Sequence, residues 1–341
     1  MLRGHIDKLN KADSFTGITE YPPGHRQWDF ICEIPEARDS LIRNAEIGAE
    51  SAFVYLTDAC RRNCGFCNRH EKMVLPLATF ARFVQEESAK KLQYIVLDGD
   101  SVCAENFAEY VRILNQYHVQ YSVNAYTPIP AEQIAFLKDT VSKIQFRVED
   151  HAALEKVIPS IDMCCEYGVY TGVIYSAEPD SDAQLKEAIA LCAAHHVLQF
   201  SFSRMPFCPW DSRVHKQYSA AAFLAVSQTL IALNGTHNMH VTSNDANWKG
   251  CGAAMKTACV LADGTVLPCA YLKLPAGNIV SGSFGDAWSS PLFTELRRGI
   301  GSGKCGSCRY NILCKGCRAL ALEQTGDYMA EDSGCWVNSS C

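Results

Sequence analysis

Hydrophobic and polar positions fall into two alternating patterns between residues 51 and 235. Short apolar runs rich in β-formers, Ala52-Phe53-Val54-Tyr55-Leu56 and Tyr94-Ile-Val-Leu97, read as buried strands. Further runs near Val119–Asn124, Ile144–Val148, Val169–Tyr175 and Leu198–Ser203 predict strands three to six. Between them apolar residues take the i, i+3, i+4 spacing of helices: Phe80, Phe83 and Val84, then Phe107, Tyr110, Val111 and Leu114, then Leu185, Ala188, Ile189 and Cys192. Ala220–Leu233 predicts a last helix. Regular strand–helix alternation implies an α/β fold of parallel strands with right-handed crossovers.

The ends of the chain read differently. Residues 1–50 carry no helix of convincing period; Tyr21-Pro-Pro-Gly24 marks a turn, and Trp28-Asp-Phe30-Ile-Cys32-Glu-Ile34 reads as one or two strands. Beyond Asn244 the pattern gives way to closely spaced cysteines. The chain therefore divides into a lead-in segment (1–50), an α/β unit (51–240) and a cysteine-rich unit (241–341).

Composition narrows the class. The 48% apolar and 20% charged content suits a globular protein, and a net charge of -6 argues against a nucleic-acid-binding surface. No apolar run approaches the roughly 18 residues of a membrane span. The first residues lack the basic-then-apolar order of a signal peptide, so a cytoplasmic location is expected. Among 341 residues, 18 cysteines stand out. In a reducing compartment, cysteines gathered in CX2C patterns point to metal ligation rather than disulfides.

Three of them form Cys60-Arg-Arg-Asn-Cys64-Gly-Phe-Cys67, a CX3CX2C loop directly after the first strand. Three soft thiolates at one strand end suit a metal or an iron–sulfur cluster, and three leave one iron of a four-iron cluster without a protein ligand. Eight more follow as Cys251-X7-Cys259-X4-Gly264-X4-Cys269, Cys305-X2-Cys308-X5-Cys314-X2-Cys317 and Cys335. They suffice for two four-thiolate sites, which zinc and [4Fe–4S] both accept. The five residues between Cys308 and Cys314 are shorter than the usual zinc-ribbon separation. Val260–Pro268, with Asp263-Gly264 at its tip, reads as a hairpin turning Cys269 back toward Cys251.

The CX3CX2C loop with an aromatic at Phe66 resembles the signature of the radical S-adenosylmethionine (SAM) superfamily, and the tail resembles its SPASM extension. One departure is Cys314-X2-Cys317, where the SPASM pattern has X3. The resemblance implies a partial (β/α)6 TIM-like barrel followed by an iron–sulfur domain, with chemistry at the carboxyl ends of the strands. It implies three [4Fe–4S] clusters and SAM as cofactors. Cys60, Cys64 and Cys67 would hold the SAM-binding cluster. Cys251, Cys259, Cys269 and Cys317 would hold one auxiliary cluster, and Cys305, Cys308, Cys314 and Cys335 the other.

Further site residues follow from the same resemblance. Gly99 and Asp100, in Asp98-Gly99-Asp100-Ser101, stand where the family's Gly-Gly-Glu motif holds the SAM amino group; the alternative is a βα turn with Asp as helix cap. Phe66 belongs to the loop signature, and Ser122, Asn124 and Arg147 at strand ends are candidates for the SAM ribose or carboxylate. Arg147 reads equally as a structural salt-bridge partner, and Arg61, Arg62, Arg69 and Lys72 as a solvated rim. Cys208, past strand six, is read either as a hydrogen-atom donor or as packing under a proline-rich turn. Ala270 occupies the position where sulfatase-maturating members carry an aspartate base. The function implied is oxidative maturation of a ribosomally made peptide, with a flavodoxin- or ferredoxin-like electron donor. Chemistry on a small molecule and a non-catalytic iron–sulfur carrier are the alternatives.

Overall fold

The computed structural model describes residues 35–62, 64, 67, 73–179, 182–206, 208–213, 215–244, 250–299 and 302–335. Seven parallel strands run in chain order across one sheet: β1 (Ser51–Val54), β2 (Tyr94–Leu97), β3 (Gln120–Ala125), β4 (Lys143–Val148), β5 (Thr171–Ser176), β6 (Gln199–Ser203) and β7 (His240–Ser243). Six lie within a residue or two of the expected runs. The seventh, His-Val-Thr-Ser, has too little apolar character to announce itself, and it runs across the division expected at residue 240. The tail adds to the same sheet. β8 (Thr257–Val260) pairs in parallel with β1 on its free side, and β9 (Thr265–Leu267) and β10 (Gly277–Asn278) continue antiparallel. The expected hairpin is therefore β8–β9, and Gly264 at its tip takes φ +83°, a conformation that favours glycine.

The register separates two faces. Ala52, Val54, Ile95, Leu97, Tyr121 and Val123 lie on one face, and all are buried under the helices. Each such side chain contributes about 1.5–3 kcal/mol by leaving water. The opposite face pairs Val96 with Ser122, Asn124 with Gln145, Ser176 with Ser203, and Ser201 with Thr242. Those polar residues are buried too, so the concave side of the sheet is polar without being exposed. On β1 and β8, this same face carries Phe53 and Cys259, which are partners in register.

Two further contacts fasten the ends. A helix at Pro35–Ile47 lies inside the segment expected to lack one. Its buried positions include Ala37 and Ala45, too small to mark a period, and the Trp288 indole N–H donates to the Ala45 carbonyl at 2.8 Å. The expected strands around Trp28–Ile34 and Cys32 fall outside the described residues. At the other end, Arg204 just past β6 meets Asp332 with both side chains 1% exposed. Arg204 Nη1 donates to Oδ1 at 3.1 Å, and Asp332 also accepts the N–H groups of Cys317 at 2.8 Å and Gly334 at 3.0 Å. Burial alone would raise the Asp332 carboxyl, but Arg204 and these donors hold it below the ordinary carboxylate value. Its contribution to stability is present above the unfolded carboxylate pKa of about 3.9 and is lost as pH falls through the lower folded value. Asp332→Asn should cost about 3–5 kcal/mol by leaving a buried guanidinium unpaired. Denaturant unfolding at neutral pH checks this, and the difference from the parent should shrink in acid.

Candidate metal centre and SAM site

The three-cysteine loop leaves β1 and returns under tight control. The Leu56 N–H donates to Ser101 Oγ at 3.1 Å, the Leu75 N–H to the Leu56 carbonyl at 2.9 Å, and Thr57 bridges Val74. Asp100 pins the middle. Its Oδ2 accepts the Arg61 N–H at 3.0 Å, and its Oδ1 accepts the Thr127 hydroxyl at 3.0 Å and the Tyr126 N–H at 3.4 Å. The carboxylate thus ties the cysteine loop to the end of β3. It stands at the N-cap position of the 3₁₀ turn Ser101–Cys103 without a side-chain cap bond. The Gly99 N–H is taken by Asp98 Oδ1 at 2.7 Å.

The basic rim is likewise corrected in part. Arg61 Nη2 donates to Thr127 Oγ1 at 3.0 Å and to the Pro128 carbonyl at 2.7 Å, while Arg62 pairs with Glu149. Both arginines are loop anchors whose partners lie just past β3 and β4, which spacing along the chain could not reveal. Arg69, Lys72 and Phe66 lie outside the described residues. Cys67 bridges Asp211, Cys64 lies within electrostatic reach of Cys67, and Cys60 within reach of Asp100 and Cys208.

The strand ends beside this loop hold buried polar atoms without partners. Asn124 Oδ1 on β3, Arg147 Nε on β4 and Ser176 Oγ on β5 find no hydrogen bond. Native interiors leave few such groups, so these three together at one end of the concave face form a candidate site for a polar ligand. Amino, carboxylate and hydroxyl groups of SAM are suitable partners for them. Ser122 lies on the same face, 1% exposed. Arg147 makes no salt bridge among the described residues. Its Nη2 donates to the Tyr271 hydroxyl at 2.8 Å, and that hydroxyl donates to the Pro206 carbonyl at 2.7 Å.

Around this pair stand residues that the motif search passed over. The hydroxyls of Tyr55 and Tyr126 are 3.4 Å apart, Trp210 packs edge-on against Tyr55 at 4.7 Å, and Asp98 lies within electrostatic reach of Tyr55, Tyr126 and Tyr271. Burial raises the pKa of all three tyrosines, keeping them as neutral hydrogen-bonding groups. The usable sequence signal was the alternation of polar and apolar positions along the strands, which marks a polar interior.

The tail thiols gather in two sets. Cys269 lies within electrostatic reach of Cys251, and Cys317 of Cys269. Cys259, fully buried on β8, packs with Leu267 and Ala270 beside them. In the second set Cys314 is within reach of Cys305 and Cys335, and the Cys308 N–H donates to the Cys305 carbonyl at 3.3 Å. Donors already point at the sulfurs: Tyr271 N–H to Cys269 Sγ at 3.4 Å, Gly316 N–H to Cys314 Sγ at 3.4 Å, and Arg318 Nη2 to Cys305 Sγ at 3.7 Å. Such bonds stabilise the anionic thiolates of an iron–sulfur cluster. The described residues contain no group of three Cys, His, Asp or Glu side chains closed around a single ion. Burial pushes the Cys317 thiol up to about 12, so the free thiol holds its proton tightly.

The short Cys314-X2-Cys317 spacing has a local solution. Lys315 (φ +60°) and Gly316 (φ +62°) both take the left-handed conformation and turn the chain between the two cysteines. A Cβ on Gly316 would stand 2.7 Å from Arg318 Nη2 and 2.8 Å from Asp332 Cβ, so only glycine fits. Lys315 is buried, which pulls its ammonium down to about 8 against the attraction of Cys251.

Comparison with known proteins agrees with this geometry. The SPASM family, described as an iron-sulfur cluster-binding domain, matches residues 251–318. The AdoMet-dependent heme synthase of Methanosarcina barkeri is 41% identical over 93 residues, 27% of this chain and 27% of that protein. The pre-heme d1 synthase of Dinoroseobacter shibae is 23% identical over 229 residues, 55% of this chain and 57% of that one. The chain thus spans about a quarter of the first relative's length and little over half of the second's. Streptococcus suis SuiB bound to S-adenosylmethionine superposes with a TM-score of 0.69 at 16% identity, over 98% of this chain and 87% of that one. The anSMEcpe structure with bound AdoMet and a Kp18Cys peptide gives 0.64 at 12%, over 85% and 94%. At those identities the likeness is one of fold. Residues 251–318 therefore match the SPASM iron–sulfur family, and the chain shares the fold of these SAM-bound structures while carrying the three-cysteine loop that resembles the radical SAM signature.

Proposed function

We propose that the protein cleaves SAM reductively and uses the resulting radical to modify a ribosomally made peptide oxidatively, by crosslinking or a related maturation. The observation that carries this reading is convergence: the cysteine loop, the three orphaned polar atoms, and Tyr271 and Cys259 from the tail all belong to one concave face. In this superfamily the chemistry supplied by the loop cluster and SAM is a one-electron cleavage to methionine and a 5′-deoxyadenosyl radical, which takes a hydrogen atom from substrate.

This chain's own residues do the positioning. Asp100 and Arg61 fix the loop, and Asn124, Ser176 and Arg147 offer hydrogen bonds to SAM. Tyr55, Trp210 and Tyr271 exclude water from the space between loop and tail. In this reading residues 51–240 supply the barrel and residues 241–341 two auxiliary [4Fe–4S] sites that take up the electron left after oxidation. A flavodoxin- or ferredoxin-like donor reduces the loop site, and the protein acts in the cytoplasm; among the described residues no helix is long and apolar enough to cross a membrane. A purely electron-carrying role leaves the orphaned polar atoms without purpose.

Support for a peptide substrate comes from SuiB, whose structure bound to its precursor peptide SuiA superposes with a TM-score of 0.70 over 97% of this chain. A second reading, oxidation or rearrangement of a small molecule, is favoured by the relatives named as heme and pre-heme d1 synthases. Anaerobic assays of 5′-deoxyadenosine formation separate the two. Stimulation by a short peptide encoded beside the gene, with a mass change in that peptide, is expected. Stimulation by tetrapyrroles alone would sink the peptide reading.

Two variant predictions test the assigned residues. Replacing Cys60, Cys64 and Cys67 together by Ala should abolish SAM cleavage and remove about a third of roughly twelve irons, leaving the tail iron in place. Cys208→Ala distinguishes a hydrogen-atom donor from a packing residue. If Cys208 only packs, product forms at the normal rate and carries no solvent deuterium in D2O. If it donates, SAM cleavage continues in the variant while deuterium incorporation disappears.

A further inference from the structure

Three cations are buried in the tail without an ion pair among the described residues, Lys315 at 1% exposed, Arg297 at 3% and Arg318 at 3%, although Arg297 lies within electrostatic reach of Glu46. Asp332, the buried acid of this region, is taken by Arg204. Two of the three cations have other company. Arg297 donates to the carbonyls of Ala254 and Trp288, at 2.8 and 2.7 Å, and lies over the Trp288 ring. Arg318 donates to the carbonyls of Tyr328 and Ala330 and to Cys305 Sγ. Among the described residues the Lys315 ammonium has one hydrogen bond, a 3.3 Å contact with the Ala253 carbonyl.

That residue is costly in every respect. An ammonium has three donors, and burying it with one neutral acceptor and no counter-charge is expensive. Its left-handed backbone adds strain for a residue with a side chain. Arg297 and Arg318 repel it, and the group that attracts it is Cys251, two residues from the carbonyl it touches. A lone neutral thiol does not offset a buried ammonium. A four-iron cluster on four thiolates does, because it is a net dianion and gains a further negative charge on reduction.

We propose that Lys315 is the counter-ion of the auxiliary cluster held by Cys251, Cys259, Cys269 and Cys317, and that its fixed charge raises that cluster's reduction potential. The inference rests on the proposed ligand set. Lys315 favours the reduced state because the attraction grows with the negative charge facing it. It thereby makes the barrel-side site a better acceptor for an electron leaving the substrate, as Arg318 on Cys305 does for the other set.

The test is an EPR-monitored redox titration of anaerobically purified, iron-loaded protein. The parent must first show signals from two auxiliary clusters; their absence defeats the ligand assignment, before any variant is compared. Lys315→Asn removes the charge and tolerates the left-handed backbone, and Lys315→Arg keeps the charge. In the Asn variant one auxiliary potential should fall by the equivalent of about a tenfold change in its reduction equilibrium, about 59 mV for one electron. The other two potentials should stay put, and the Arg variant should titrate like the parent. Unchanged potentials in a fully loaded Asn variant would overturn the proposal. If the Asn variant loses the cluster, the Arg variant decides: retained iron and potential support the counter-ion, and loss of iron there too assigns Lys315 to packing and overturns it.

Discussion

Four residues of β8 paired in parallel with β1 hold the two halves of the chemistry in one frame. The pairing sets Ser51 beside Thr257 and Phe53 beside Cys259, and the Tyr55 N–H continues it by donating to the Val260 carbonyl at 2.9 Å. Because β1 runs straight into the cysteine loop, any shift of β8 along it would move Cys259 relative to Cys60. A slip of one residue would turn Cys259 to the helix-facing side. Main-chain hydrogen bonds thus set the spacing between the three-cysteine loop and the first strand of the tail. Rigid strands suit that task better than a loop between separate domains.

A second layer of control is electrostatic. Asp100, Arg204 and Asp332 are buried charges with partners supplied by the protein, and each joins segments far apart in sequence. Lys315 breaks that pattern, as do the orphaned atoms of Asn124, Arg147 and Ser176. Those exceptions fall beside thiols or at the concave strand ends, where a bound group completes what the polypeptide leaves unfinished. Folding free energy spent on an unpaired group is recovered when the group finds its ligand.

Much of this was legible along the chain, for identifiable reasons. Strand–helix alternation depends on local period, and β1 to β6 lie close to their apolar runs. The division of the tail cysteines comes from the family resemblance rather than from spacing, which would keep Cys317 with Cys314; Cys269 lies in electrostatic reach of both Cys251 and Cys317, and Cys314 of both Cys305 and Cys335. What stayed hidden depends on distant partners or weak periods. The Pro35–Ile47 helix buries alanines, β7 is four mixed residues, and the roles of Arg61 and Arg62 require Thr127 and Glu149. The spacing Cys314-X2-Cys317 looked like a defect until the two left-handed residues between the cysteines were seen to make the turn.

The position of β8 also bears on how the protein behaves before it receives its iron. Without the tail hairpin, β1 would present an open row of backbone N–H and C=O groups flanked by Ala52, Phe53 and Val54, the kind of edge that templates pairing with another chain. Cys259 sits within the strand that covers this row, so under the proposed ligand set a cluster bound at Cys259 would also hold the cover over β1 in place.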